Sequence, residues 1–117
     1  METIDQHGVS VIMLTPKEVK ERIDAGTAYV VDVREVHEHN EIRIANSGLA
    51  PLSTFDPTQI KVPDGKELIL HCRSARRCGL AAEQLIAAGF EPQIHRMAGG
   101  MIRWQEENLP VETGTPN

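Results

Sequence analysis

The sequence predicts an α/β domain built as a parallel sheet with helices on both faces. Two observations carry this. Two short runs, AYVVDV (28–33) and ELILHC (67–72), are largely apolar without polar alternation, as strands covered on both sides are, and PQIHR (92–96) reads as a third strand. Between and after them stand amphipathic stretches with helix start and stop residues, and strand–helix alternation of this kind means a parallel sheet. A chain of 117 residues holds one hydrophobic core and not two.

Each element follows from local chemistry. Residues 1–10 are polar and read as a loosely ordered tail ahead of a single domain over 11–113, with 114–117 as a second tail. Helix formation starts sharply at LTPKEV: Thr15 caps, Pro16 is the first helical residue, and Glu18 closes a capping box. Gly26 marks its end. The stretch 35–44 reads as a weak helix with Val36 and Ile42 as its apolar points, and 46–66 as turns and loop. RRCGLAAEQLIAAGF reads as a helix that turns Leu80, Leu85 and Ile86 inward and stops at Gly89. GGMIRWQEEN opens a last helix before LPVE, with Met97, Met101, Ile102 and Trp104 as core residues.

Composition narrows the function. Seventeen acidic against twelve basic residues give a net charge of −5, which argues against a nucleic-acid or anionic-membrane binder. No segment has the apolar length of a membrane span, and METIDQHGVS has neither the basic nor the apolar part of a secretory signal. The two cysteines form no disulfide framework and fit no common zinc spacing, so free thiols, no metal and a reducing, cytoplasmic setting are expected.

Against that acidic background, HCRSARRC (71–78) is a local exception. Cys72 ends an apolar strand, a helix starts within a few residues, and Arg73, Arg76 and Arg77 follow within five positions. Ligands of open α/β sheets bind at carboxyl ends of strands, and a helix N-terminus attracts anions. The same field lowers a thiol's pKa, so the arginines hold an anion that includes the sulfur of Cys72. His71 and His95 flank strands and read as hydrogen-bonded structural histidines. Asp32, Arg34, Glu35, Glu38 and Glu41 read as a structural charge network. Cys78 reads equally as packing at the helix start or as a resolving cysteine for an oxidised Cys72.

HCRSARRCGLAA resembles the active-site loop of single-domain rhodaneses, a cysteine separated by four residues from an arginine. VVDVRE, RMAGGMIRW and LPVE resemble further segments of that family in the same order, so the resemblance covers nearly the whole chain. It implies the three-layer rhodanese-like fold and a thiosulfate sulfurtransferase without cofactor, in which Cys72 carries sulfur as a persulfide between thiosulfate or a persulfide donor and a thiol, cyanide or protein acceptor. The loop Arg73, Ser74, Ala75, Arg76, Arg77 and Cys78 would bind the donor, Arg73 and Arg76 through its sulfonate. Two departures stand out. Ala75 replaces the usual glycine, and if φ is positive there its Cβ costs about 1 kcal/mol; Cys78 replaces a serine or threonine. Phosphate or arsenate chemistry on the same loop is the alternative, although related phosphatases place five residues between cysteine and arginine. A non-catalytic partner-binding or redox-sensing module is the other.

Overall fold

The computed structural model describes residues 1–114. The chain opens with an antiparallel hairpin of β1 (Glu2–Gln6) and β2 (Val9–Leu14). The loosely ordered tail expected over 1–10 is therefore largely sheet, and that reading is corrected. Turn chemistry explains it. His7 and Gly8 both take positive φ, 49° and 83°, the conformation by which a two-residue turn matches strand twist. Val11 and Leu14 are fully buried and Ile4 packs on the core, so the second strand anchors the first.

Helix α1 (Pro16–Asp24) starts as the sequence specifies: the Glu18 N–H donates to Thr15 Oγ1 at 3.2 Å, and the Thr15 N–H donates to Glu18 Oε1 at 2.9 Å. There follow β3 (Ala28–Asp32), α2 (Val36–Glu41), β4 (Ile42–Arg43), β5 (Gly48–Leu49), β6 (Glu67–His71), α3 (Arg76–Ala87), β7 (Ile94–Met97), α4 (Gly100–Glu106) and β8 (Glu112–Thr113). The main sheet has six strands in the order β1-β2-β7-β6-β3-β5, parallel everywhere except the hairpin. Strands β4 and β8 pair separately. Of the expected tail 114–117, Gly114 accepts from Arg43 Nη1 at 2.6 Å; residues 115–117 lie outside the described residues.

Strand alternation divides the core in two. Val31, Val33, Leu68, Leu70 and Ile94 face α3, where they meet Ala81, Ala82 and Leu85. Val30, Ile69 and Met97 face the other way, onto Val19 of α1 and Met101 and Trp104 of α4. The expected inward set of α3 is corrected at one position. Leu80 is exposed, and the helix instead buries Cys78, Ala81, Ala82 and Leu85. The small alanines let α3 lie close on the sheet, which rotates Leu80 out. Ile102 likewise faces solvent, whereas Met97, Met101 and Trp104 are core. Helix α2 forms with Val36 exposed and His39 buried.

Thr15→Ala removes the side-chain half of the capping box, the Oγ1 that accepts from the Glu18 N–H, and leaves the residue-15 N–H on Glu18. It should cost about 1 kcal/mol and lower Tm by about 4 °C, read by thermal denaturation with the spectrum of the folded state unchanged.

Candidate active site

Strand β6 ends at His71, so Cys72 stands at its carboxyl end, four residues before α3 begins. The side chain points to the α3 face and the residue is fully buried. Helix α3 has no side-chain cap, because Ala75 occupies the cap position with φ 107° and ψ −12°. The sulfur takes that place: Ala75 N–H donates to Cys72 Sγ at 3.1 Å, and the N–H of Cys78, third residue of the helix, at 3.4 Å. The positive φ anticipated for position 75 is thus present, and it aims the Ala75 N–H at the sulfur. Helix α4 clamps the loop from the opposite side. Its Met101 and Ile102 N–H groups donate to Cys72 O at 2.8 Å and Arg73 O at 3.1 Å. A Cβ on Gly100 would lie 2.6 Å from Cys72 O and closer still to Arg73 O, so glycine is required there.

These contacts set the protonation of both thiols. Hydrogen bonding from the Cys78 side chain outweighs burial and, with the N–H groups of Cys78, Ala75 and Ser74, pulls Cys72 down to about 5. Cys78 moves the other way, raised by its hydrogen bond to Cys72 and by burial, and stays a thiol. Its S–H has two acceptors in reach, Ala75 O at 3.0 Å and the Cys72 sulfur. Once Cys72 is ionised the anion is the stronger acceptor. These contacts favour a thiolate at neutral pH, with the Cys78 S–H as a further donor once it turns from Ala75 O.

The three arginines divide. Arg77 is committed to Glu38 through Nη1–Oε1 at 2.6 Å and Nη2–Oε2 at 2.9 Å, and this pair pulls the Glu38 carboxyl down to about 2. Arg73 and Arg76 are exposed, and neither side chain has a hydrogen-bond partner among the described residues; Ser74 is exposed beside them. A cleft of about 220 Å³ lies against the loop, walled by Arg73, Glu38, Glu41 and Met101 among others. A larger, mainly apolar cleft of about 380 Å³ between His7 and α3 has no nucleophile in its walls.

The expected charge network is smaller than the sequence reading and includes a residue it missed. Arg34 Nε donates to Asp32 Oδ1 at 3.0 Å and Nη2 to Oδ2 at 2.8 Å, while His39 Nδ1 lies 2.9 Å from Oδ2. Burial alone would raise the Asp32 pKa, but the hydrogen bonds with Arg34 and His39 hold it below the usual carboxylate range. Glu35 lies outside this network because its carboxylate accepts from Ser53, and Glu41 forms no ion pair among the described residues. His39 was missed because α2 carries no apolar periodicity to mark its inner face. His95 is hydrogen-bonded as expected, to Leu68 O and Glu67. His71 is not: both ring nitrogens are buried without a partner among the described residues, and burial lowers its pKa, so the ring is neutral. Among the described residues no group of three or more His, Cys, Asp or Glu is placed to hold a metal ion.

Replacing Cys78 tests its role as donor. Cys78→Ala should raise the Cys72 pKa from about 5 by roughly one to two units, the loss of one hydrogen bond to a charged group, whereas Cys78→Ser keeps a hydroxyl donor and should retain most of the depression. The pH dependence of Cys72 alkylation, falling as pH drops through the pKa, reads both.

Comparison with known proteins places the fold in a family. The chain matches the Rhodanese-like domain family over residues 15–107. It is 34% identical over 100 residues to an uncharacterized protein of Synechocystis sp., covering 86% of this chain and 55% of that protein, so it spans about half that relative's length. It is 24% identical over 88 residues to a sulfurtransferase of Allochromatium vinosum, covering 75% of this chain and 81% of that one. The crystal structure of a rhodanese-related protein from Thermoplasma volcanium superposes with a TM-score of 0.70 at 30% identity, over 86% of this chain and 97% of that one. With the matched family spanning most of the chain, this protein belongs to the rhodanese-like domain family.

Proposed function

We propose that this protein is a sulfurtransferase that moves the outer sulfur of thiosulfate, through a persulfide on Cys72, to a thiol or to cyanide. The observation that carries this reading is the cradle of N–H donors and one thiol around a sulfur whose pKa is about 5. In the first step the Cys72 thiolate attacks the outer sulfur; the new S–S bond forms as the old one breaks, and sulfite leaves with the bonding electron pair. In the second, an acceptor thiolate or cyanide attacks the outer sulfur of the persulfide and the Cys72 thiolate returns. Covalent catalysis of this type replaces one difficult transfer by two easier ones, and no cofactor takes part. The same cradle stabilises the anion at the start, in the persulfide and at the end.

Cys72 is fully buried, so the donor's entry requires the residues around the sulfur to move. Arg73 and Arg76, unpaired among the described residues, are free to hold the sulfonate oxygens. The cleft beside Arg73 is the place for a small thiol acceptor, or the edge of a protein acceptor. Phosphate chemistry is disfavoured because Arg77, the arginine closing the loop, is bound to Glu38. The Allochromatium sulfurtransferase, most of whose length this chain covers, supports the same reaction class. A reducing, cytoplasmic setting is part of the proposal, and among the described residues no helix is long and apolar enough to cross a membrane.

Cys72→Ser should abolish thiocyanate formation from thiosulfate and cyanide while circular dichroism stays unchanged; full activity in that variant would remove Cys72 as the sulfur carrier. Arg73→Ala and Arg76→Ala should each raise KM for thiosulfate about tenfold at low salt with kcat nearly unchanged. Rising ionic strength should narrow the difference from wild type, because exposed charges are screened. Unchanged KM in both variants would leave donor binding to the loop N–H groups alone.

A further inference from the structure

Arg96 stands on β7, beside the strand that delivers Cys72, and its side chain turns toward α3 as that of Ile94 does. The guanidinium lies under the loop. Nη2 donates to Ala75 O at 2.8 Å, Nε to Cys78 Sγ at 3.4 Å and Nη1 to Gln6 Oε1 at 2.9 Å. Gln6 on β1 in turn donates from Nε2 to Gly79 O at 3.3 Å. Gly79 leaves the space this needs: a Cβ there would sit 2.8 Å from Arg96 Nη2 and 3.1 Å from its central carbon. Arg96 has no carboxylate partner among the described residues. A half-buried guanidinium that directs its donors to a loop carbonyl, a thiol and an amide is built into the loop rather than into an ion pair.

We propose that Arg96 is a positioning residue for Cys72: it locks the Ala75 peptide in its positive-φ conformation and turns the Cys78 S–H toward the Cys72 sulfur. This rests on Cys72 as the reactive thiolate. Rotation about φ swings a residue's carbonyl relative to its N–H, so holding the Ala75 carbonyl fixes where the Ala75 N–H points. That carbonyl receives Arg96 Nη2, the Gly79 N–H at 3.3 Å and, at 3.0 Å, the Cys78 sulfur. A non-glycine residue in such a region is strained, and fixed contacts are needed to keep it there. Because Arg96 and Gly79 also satisfy that carbonyl, the Cys78 proton can leave it for the sulfur once Cys72 is ionised. Donation from Arg96 Nε into Cys78 Sγ polarises that S–H further. The other charged groups around the loop are Arg76 and Arg77 in the first turn of α3 and the exposed Arg73 ahead of it. His71 precedes Cys72 on β6 and alternates to the opposite face with Ile69.

The test follows the Cys72 thiolate by its ultraviolet absorbance against pH, each protein referenced to the same protein carrying Cys72→Ser. No reagent access and no sulfur transfer is needed. Arg96→Met should raise the titration midpoint by roughly one unit or more, and Arg96→Lys should recover part of that shift. Gly79→Ala keeps the arginine but displaces it, and should shift the midpoint in the same direction. Gln6→Ala, at the sheet edge, should give a smaller shift of the same sign and keeps the proposal testable if the Arg96 variants do not fold. Midpoints equal to wild type in the folded variants overturn the proposal. If midpoints move while wild type takes up no sulfur from thiosulfate, the sulfurtransferase reading fails and Arg96 keeps its role. If sulfur is taken up and the midpoints stay fixed, the reverse holds.

Discussion

Helix α3 begins with a cap residue that has nothing to cap with. Ala75 presents a methyl group where serine, threonine or aspartate would accept the first free N–H groups, and the sulfur of Cys72 accepts them instead. This substitution ties fold to chemistry. The helix start is best satisfied when the sulfur is anionic, and the sulfur is anionic because the helix start surrounds it. Strand β6 fixes where the sulfur stands, and the short cap segment fixes how the N–H groups meet it. The neighbouring α4 repeats the arrangement from the other side. Gly99 occupies its cap position with φ 74° and no side-chain cap, and the free N–H groups hold the carbonyls of Cys72 and Arg73. The loop is thus held between two uncapped helix starts, one binding its sulfur and the other its backbone.

Charge is arranged in concentric roles around that sulfur. Arg77, in the first turn of α3, is balanced by Glu38 and joins α2 to α3. Asp32, Arg34 and His39 form a buried cluster at the end of β3 that fixes the start of α2 and hence the position of Glu38. Arg73 and Arg76 remain for an incoming anion. An acidic protein can therefore present a cationic mouth, because most of its positive charge elsewhere is paired.

Much of this was legible in the sequence, for identifiable reasons. The strands AYVVD and ELILH announce themselves by their apolar runs, and Thr15-Pro16 with Glu18 fixes a helix start to the residue. Cys72 was legible because a nucleophile at a strand end before a helix needs no tertiary information to be recognised. The hairpin was missed since its turn uses His7-Gly8 rather than the commoner Asn-Gly, and β1 has few apolar residues of its own. Leu80 was misplaced because its helix phase was judged from large side chains, while alanines decide the contact. Arg96 had one signal, a cation inside an otherwise buried strand. Its partners Gln6 and Gly79 lie 90 and 17 residues away in sequence, and only the folded sheet brings them together.

The central claim is that the cradle keeps Cys72 ionised and thereby makes it a sulfur carrier. Its most direct test is intact mass after exposure to thiosulfate at about pH 6, where an ordinary thiol is almost wholly protonated. The account predicts a gain of one sulfur atom, located on the Cys72 peptide and removed by a thiol or cyanide. An unchanged mass at that pH, or sulfur found on Cys78 instead, would contradict it.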